Sequence, residues 1–273
     1  MNGEMPQFPS GAMMCFHRLV LICFIAFGQE VNGAAAAGDS FRLEQDALGR
    51  AIFDRLNLVP FTLTVDSAES FEINGGGGDD ILDVNNLAGT SVRAVQFTGG
   101  AGNDFLDGSG TTTPLTGFGG NGSDSLYGGA GNDVFNGDAG SDVLRGGAGN
   151  DILTGGGGSD RFVFNSGAQY SAGSLGVDEI TDFNRNSDRI VLSGTTFVGL
   201  NNLSDIRIVA NDAAAATSSG IITYSLGTGN LYFNQNLTSP GFGTGSLFAN
   251  IDNDNNAFTA PPVLRAINFE IVA

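Results

Sequence analysis

The sequence predicts an all-β protein, a parallel β-roll or β-solenoid of nonapeptide repeats with a C-terminal β-rich cap. Three observations predict this fold class. The 273 residues include 43 glycines and no tryptophan, which is unlike an ordinary globular domain. In the middle of the chain glycine and aspartate return in a nine-residue period. Short segments that alternate apolar and polar residues flank this region, as β-strands do.

Residues 1–37 are predicted to be a secretory signal peptide. A basic pair precedes the apolar run LVLICFIAF, and an Ala-rich stretch with A-x-A-like character follows it. Both cysteines, Cys15 and Cys23, and the only histidine lie in this segment, so the mature chain would contain neither residue type. The alternatives are a true start at Met13 or Met14, or a loose tail.

Residues 38–98 are expected to form β-strand coils that include a first repeat. FTLTV and FEI alternate apolar and polar residues, with turn residues between them. The unit GGGGDDILD then begins at Gly75. Asp39, at the start of this region, is expected to be exposed and without a structural role.

Residues 99–165 are predicted to form the roll itself. GGAGNDFLD begins at Gly99, and five contiguous nonamers run from residue 119 to residue 163. In these five, positions one and four are Gly, position six is Asp, and position eight is Leu or Phe. The unit that begins at Gly108 lacks the Asp and is interpreted as a degenerate repeat, followed by a two-residue insertion, Gly117-Phe118.

The register of the nonamers predicts a solenoid because each position has a physical role. The glycines allow tight turns with positive φ, and the residues after the Asp suffice for a minimal strand with one apolar face. Two nonamers make one coil. The stacked core is expected to comprise, on one side, Leu126, Leu144 and Phe162, and on the other, Phe135 and Leu153. A single repeat cannot bury its apolar residue alone, so such units occur in arrays.

The same geometry predicts a metal between the coils. Loops of successive coils lie ~4.8 Å apart and calcium binds oxygen at ~2.4 Å, so an ion between two loops reaches both. Without a cation, stacked carboxylates would repel by ~3 kcal/mol per neighbouring pair at an effective dielectric of ~20. Oxygen ligands without Cys or His favour Ca²⁺, with Mg²⁺ second. The pairs of stacked repeats predict at least three ions, whose binding is coupled to folding.

The nonamers resemble the RTX, or haemolysin-type, calcium-binding repeat. The resemblance implies a β-roll with calcium between successive loops, and type I secretion followed by folding outside the cell. It also implies the ligand set. The carboxylate ligands would be Asp80, Asp104, Asp124, Asp133, Asp142, Asp151 and Asp160. The carbonyl ligands would be Gly120, Gly122, Gly129, Gly131, Gly140, Gly147, Gly149, Gly156 and Gly158. Asp138 replaces the second glycine of its repeat, which is a departure from the pattern.

Residues 166–273 are expected to form the C-terminal β cap. Asp178, Asp182 and Asp188 either cap the last coil or hold one more ion, or they lie in an acidic solvated hairpin. IITYSLGTGNLYFNQN predicts a hairpin, and SLFANI and NFEIVA predict further strands. The resemblance implies a secretion signal at the C-terminus.

Charge and residue types exclude several functions. The formal net charge of −18 argues against nucleic acid and anionic membranes as partners, and the apolar run is too short for a membrane span. The sole histidine lies in the predicted signal, which excludes H-E-x-x-H and Ser-His-Asp sites. A polysaccharide lyase or epimerase is not expected either, because Tyr127 follows a core Leu and the adjacent Asp178 and Glu179 point to opposite sides of a strand. The chain is therefore not expected to be an enzyme. The sequence therefore predicts a secreted, extracellular calcium-binding protein with either a structural or surface-associated role, or an adhesin role in which C-terminal loops bind a glycan or protein. It does not predict an oligomeric state.

Overall fold

The computed structural model describes residues 13–15, 22–26, 38–56, 61–65, 69–171, 174–235, 246–251 and 263–273. Within these ranges the fold is all-β, and its single α-helix, α1, spans Asp212–Ala215. In chain order the strands are β1 (Met13–Cys15), β2 (Ile22–Ala26), β3 (Ser40–Gln45), β4 (Ala51–Arg55), β5 (Phe61–Val65), β6 (Ser70–Gly77), β7 (Ile81–Val84), β8 (Ala94–Ala101), β9 (Phe105–Asp107), β10 (Leu115–Asn121), β11 (Ser125–Tyr127), β12 (Val134–Gly140), β13 (Val143–Arg145), β14 (Ile152–Thr154), β15 (Gly157–Gly158), β16 (Arg161–Phe164), β17 (Asp178–Ile180), β18 (Arg189–Ser193), β19 (Ile206–Val209), β20 (Ile222–Ser225), β21 (Asn230–Phe233), β22 (Leu247–Ile251) and β23 (Phe269–Val272).

The strands form two sheets between which the chain passes back and forth. We call them the long-strand sheet, which runs β1-β2-β6-β8-β10-β12-β14-β17-β22-β21-β20-β19, and the short-strand sheet, which runs β23-β18-β16-β13-β11-β9-β7-β3-β4-β5. From β6 to β22 and from β3 to β23 every neighbouring pair is parallel. Parallel neighbours joined through an opposite sheet define a solenoid, so the predicted fold class is confirmed.

The core is the thin layer between the two sheets. In the short-strand sheet Leu126 aligns with Leu144, and Leu144 aligns with Phe162, all three fully buried. In the long-strand sheet Phe135 aligns with Leu153, and both are buried. The predicted core stacks are thus confirmed. Each such side chain contributes about 1.5–3 kcal/mol by leaving water.

The sequence suggested that Gly117 and Phe118 are a two-residue insertion between repeats. In the structure both residues lie within β10. Gly117 occupies a core position in register with Phe97 on one side and Phe135 on the other. A Cβ at Gly117 would lie 2.9 Å from the Phe135 ring. The glycine therefore makes room for the Phe135 ring and the Leu106 side chain, while Phe118 is half-buried.

The N-terminal region adds strands to both sheets. β3 pairs in parallel with β7 and antiparallel with β4, which pairs with β5. β2 pairs in parallel with β6 and antiparallel with β1. The remainder of residues 1–37 lies outside the described residues, and the signal peptide and the domain boundaries near residues 98 and 165 stay predictions.

The C-terminal cap continues the sheets with longer connections. β18 stacks on β16 and β23 stacks on β18, while β22 stacks on β17. The expected hairpin is confirmed, because β20 and β21 pair antiparallel, and the expected strands SLFANI and NFEIVA correspond to β22 and β23. No helix in the described part of the chain has the length and apolar character needed to cross a membrane.

Candidate metal centre

The nonapeptide turns lie along two opposite edges of the roll. At one edge, which we call the first edge, the chain passes from the long-strand sheet to the short-strand sheet. At the other, the second edge, it returns to the long-strand sheet. The first edge carries the repeats that begin at Gly75, Gly99, Gly119, Gly137 and Gly155. The second edge carries those that begin at Gly128 and Gly146, stacked on the degenerate unit. The five repeats of the first edge are therefore stacked on one another, although the number of residues between them varies.

A ladder of aspartates connects the turns of the first edge. The backbone N–H of Asp104 donates to Asp124 Oδ1 at 2.7 Å, and the N–H of Asp124 donates to Asp142 Oδ1 at 2.8 Å. The same bond recurs at every step between neighbouring coils. The complete ladder runs through Asp39, Asp80, Asp104, Asp124, Asp142, Asp160 and Asp188. Each carboxylate thus closes the turn of the coil before it.

A shorter ladder follows the second edge. The N–H of Leu115 donates to Asp133 Oδ1 at 2.8 Å, that of Asp133 donates to Asp151 Oδ1 at 2.8 Å, and that of Asp151 donates to Asp178 Oδ1 at 3.2 Å. The degenerate unit lacks an Asp, so Leu115 occupies the donor position and the ladder begins at Asp133.

The second carboxylate oxygen distinguishes these aspartates from ordinary turn residues. This Oδ2 atom is buried and accepts no hydrogen bond in Asp104, Asp124, Asp142, Asp151 and Asp160. In the described part of the chain none of the five pairs with an arginine. A buried polar group without a partner costs about 1–3 kcal/mol, and more when it is charged. A bound cation removes this cost, so the residues fit a metal.

Backbone oxygens face the same gaps between coils. A Cβ placed on Gly119 would overlap Asp124 Oδ2 and lie 2.7 Å from the carbonyl oxygen of Gly137 in the next coil. A Cβ on Gly140 would overlap the carbonyl oxygen of Gly122 in the preceding coil. The gap between these two repeats is therefore lined by a carboxylate oxygen and by carbonyls from both sides, the donor set that Ca²⁺ prefers.

The other gaps repeat this arrangement. Further carbonyl oxygens lie where a Cβ on a glycine of the next coil would be. They belong to Gly76, Gly78, Gly100, Gly102, Gly108, Thr111, Gly122, Gly129, Gly131, Asp138, Gly140 and Gly149. The described residues contain no group of three or more His, Cys, Asp or Glu side chains that could hold a metal, so the carbonyls are needed to complete a shell.

The structure also adds oxygens that the sequence-based ligand set did not contain. The carbonyls of Gly137, Gly146 and Gly155, each the first residue of its repeat, face the glycine at the same position in the preceding coil. The sequence pattern could have indicated these carbonyls, because position one is glycine in every nonamer. Gly149, another predicted ligand, directs its carbonyl oxygen towards Gly176 of the cap. The carbonyls of Gly120, Gly147, Gly156 and Gly158 stay predicted ligands.

Asp133 and Asp138 differ from the pattern for local reasons. Asp133 Oδ2 accepts a hydrogen bond from the N–H of Gly129 at 3.1 Å, so neither of its oxygens is without a partner. Asp138 adopts φ +67°, a conformation that suits glycine, and hydrogen bonds with the Asn136 side chain hold it there. The loop therefore keeps its course despite the substitution.

Asp39 and the C-terminal aspartates belong to the same ladder. Asp39 is buried, and its N–H donates to Asp80 Oδ1 at 2.6 Å, so the expectation that it is exposed is wrong. Asp182 accepts hydrogen bonds from the N–H groups of Gly155 and Gly156 at 2.8 and 2.7 Å. Asp188 accepts one from Asp160 and one from Asn184. These bonds favour the capping interpretation of the C-terminal aspartates.

Burial raises the carboxyl pKa of most aspartates in the two ladders. It raises the pKa of Asp104 and Asp142 to about 7 against the opposing backbone hydrogen bonds, and the neighbouring carboxylates add to the rise. The pKa of Asp133 is raised to about 6, again by burial. Burial raises the pKa of Asp151 to about 7, and the Asp133 carboxylate adds to the rise. Burial and, second, the Asp151 carboxylate raise the pKa of Asp178. A bound cation favours the ionised form and would lower these pKa values again.

Comparison with known proteins agrees with the geometry. Residues 96–111, 116–144 and 136–168 match the family model of the RTX calcium-binding nonapeptide repeat, in four copies. These residues of the chain form RTX calcium-binding nonapeptide repeats. Its cofactor is Ca²⁺, and the RTX repeats have a calcium-binding structural role.

Two further comparisons were with solved structures and with curated proteins. Among solved structures, the AlgE6R3 subunit of the mannuronan C5-epimerase from Azotobacter vinelandii is 28% identical, with 57% of this chain and 77% of that chain covered and a TM-score of 0.36. No curated protein matches the RTX chain.

Proposed function

We propose that this RTX protein is secreted and folds outside the cytoplasm, where calcium between its stacked loops completes the roll, and that its role there is structural or surface-associated. The observation that carries this proposal is the row of buried Oδ2 atoms without hydrogen-bond partners. In a compartment poor in calcium these carboxylates oppose stacking of the coils. Metal binding free energy then becomes folding free energy.

The ligands in this proposal are the ladder aspartates together with carbonyls of the flanking turns. Complete repeats face each other across four gaps on the first edge and one on the second, so we expect five calcium ions. The Asp80, Asp104, Asp124 and Asp142 carboxylates belong to the four, and Asp133 and Asp151 flank the fifth. The carbonyls of Gly122, Gly129, Gly131 and Gly140 face these same gaps.

Far-UV circular dichroism of the full chain tests the proposal. The protein is purified in chelator and titrated with Ca²⁺ and, separately, with Mg²⁺. We expect a cooperative gain of β signal with a calcium midpoint of ~0.1–1 mM, as in extracellular calcium modules, and little response to magnesium. A chain that is fully folded in chelator and indifferent to calcium would overturn the proposal.

Other parts of the proposal follow from the resemblance and the composition. Export by a type I system with a C-terminal signal, or by the N-terminal signal, stays a prediction, as does the absence of catalysis. The alternative role, an adhesin or glycan-binding module, was predicted for C-terminal loops such as NQNLTSPGFGTGS, of which residues 236–245 lie outside the described residues. A glycan array probed with the calcium-loaded chain separates the two roles.

A further inference from the structure

A cavity of about 260 Å³ lies where the segment before β23 meets the turn before β18. Its lining residues are Arg185, Asn186, Arg189, Val263, Arg265, Ile267 and Asn268. We propose that this arginine pocket binds a small organic oxyanion, namely a carboxylated or phosphorylated molecule of monosaccharide size. The inference stands apart from the proposed calcium sites and does not depend on them.

Three arginines line this one pocket, although basic residues are scarce in the chain. The protein has 11 basic residues, all arginines, against 29 acidic ones. The described residues that line the pocket include three of these arginines and no carboxylate. Guanidinium groups remain charged at every relevant pH, so they repel each other until an anion joins them.

The arginines are not neutralised from within the protein. In the described part of the chain no carboxylate pairs with Arg185 or Arg265. Arg189 donates to the backbone carbonyls of Ser187 and Asp188, at 3.4 and 2.7 Å, which leaves its positive charge uncompensated.

The nearby carboxylates are already engaged elsewhere. Asp188 accepts from the backbone N–H groups of Asp160 and Asn184. Glu270 pairs with Arg161 at 2.7 Å. Asp182 accepts from two backbone N–H groups of the preceding turn. None of these groups is free to serve as the counter-ion of the pocket.

Asn268 holds the two arginine-bearing segments together. Its side-chain Nδ2 donates to the carbonyl of Arg185 at 2.7 Å, and its Oδ1 accepts from the N–H of Arg265 at 2.9 Å. Asn268 itself is buried. These bonds fix the backbone from which Arg185 and Arg265 extend, which lowers the entropic cost of bringing the two side chains to one ligand.

The lining indicates the class of ligand. Guanidinium forks bind carboxylate and phosphate oxygens in pairs, with short charge-assisted hydrogen bonds. Val263 and Ile267 are 54% and 67% exposed beside the arginines, which gives an apolar surface for the carbon skeleton of a ligand. A volume of about 260 Å³ exceeds that of a single inorganic oxyanion and suits a sugar acid or sugar phosphate.

Isothermal titration calorimetry of the calcium-loaded full chain tests the proposal with glucuronate, glucose 6-phosphate and glucose. We expect at least one of the two anions to bind and neutral glucose not to bind. Binding of only one anion identifies the oxyanion as carboxylate or phosphate. The Arg185→Gln/Arg265→Gln double variant should lose at least about tenfold in affinity, because it removes two charge-assisted contacts.

The matched control is Arg207→Gln, which removes one exposed positive charge from β19, outside the pocket. This variant should bind as the parent does. Circular dichroism checks that each variant folds, and the single Arg265→Gln variant replaces the double variant if the latter does not. The proposal is overturned if neither anion binds, if glucose binds as well as the anions do, or if Arg207→Gln weakens binding as much as the pocket variants.

Discussion

Each ladder aspartate uses its two carboxylate oxygens for different purposes. Oδ1 accepts the backbone N–H of the preceding coil and holds the turns together, as between Asp142 and Asp124 at 2.8 Å. Oδ2 of the same side chain is buried without a partner. In the proposed ligand assignment one residue both joins the coils and binds calcium, and an Asn at this position would lose the negative charge.

The Asp142→Asn variant tests this division. An amide keeps the Oδ1 acceptor but removes the negative charge beside the gap, so we expect the calcium midpoint of folding to rise by about tenfold. The control Glu179→Gln makes the same isosteric change on the exposed face of β17 and should leave the midpoint unchanged. Calcium titrations followed by circular dichroism measure both. Equal midpoints for the two variants would show that Asp142 is not a ligand.

At the scale of the element, the turns depend on close approach of successive backbones. Gly140 has φ +154°, and a Cβ on it would overlap the Gly122 carbonyl, one of the oxygens that faces the calcium gap. Gly157, in the next turn of the same edge, has only an atom at 3.9 Å within reach of a Cβ. Glycine is thus required at one of these positions and not at the other.

We expect Gly140→Ala to lower the free energy of unfolding in calcium by about 2 kcal/mol or more, because it combines an unfavourable φ with a backbone overlap. Gly157→Ala should change it by less than about 0.5 kcal/mol. Urea unfolding in saturating calcium compares the two. A loss of equal size in both variants would mean that the turns tolerate no side chain anywhere, rather than only where coils meet.

The turns could be predicted from the sequence, but the full extent of the ladders could not. A nonapeptide turn is a local structure, and its glycines, Asp and apolar residue all lie within one repeat. Asp39 lies 41 residues before its hydrogen-bond partner Asp80. Asp188 lies 28 residues after its partner Asp160. These separations depend on how much chain passes along the opposite edge, which the period of the repeat does not determine. The interpretation of Gly117 as part of an insertion was wrong for a similar reason, because its role depends on the Phe135 ring of the next coil.

At the scale of the whole molecule, raised carboxyl pKa values couple stability to pH. Burial raises the pKa of Asp104 and Asp142 from 3.8 to about 7 in the calcium-free fold. Below the unfolded pKa both states hold the protons and the groups cost nothing. As the pH rises towards 7 the unfolded chain releases its protons first, so the stability of the calcium-free fold falls.

We therefore expect the calcium-free chain to have a lower free energy of unfolding at pH 7 than at pH 5, and the stabilisation by calcium to grow over the same interval because the ion replaces the protons. Urea unfolding at pH 5, 6 and 7, with and without calcium, measures both trends. Greater stability of the calcium-free chain at pH 7 would contradict the burial of these carboxyl groups.

The ladder bonds all point in one direction along the chain. In each of them an earlier coil donates its N–H and a later coil supplies the oxygen, from Asp39 with Asp80 to Asp160 with Asp188. A coil can therefore close its turn only after its C-terminal neighbour has been made. During synthesis or export that proceeds from the N-terminus, each turn therefore stays open until the next coil has emerged, so closure of the roll follows one coil behind the emerging chain.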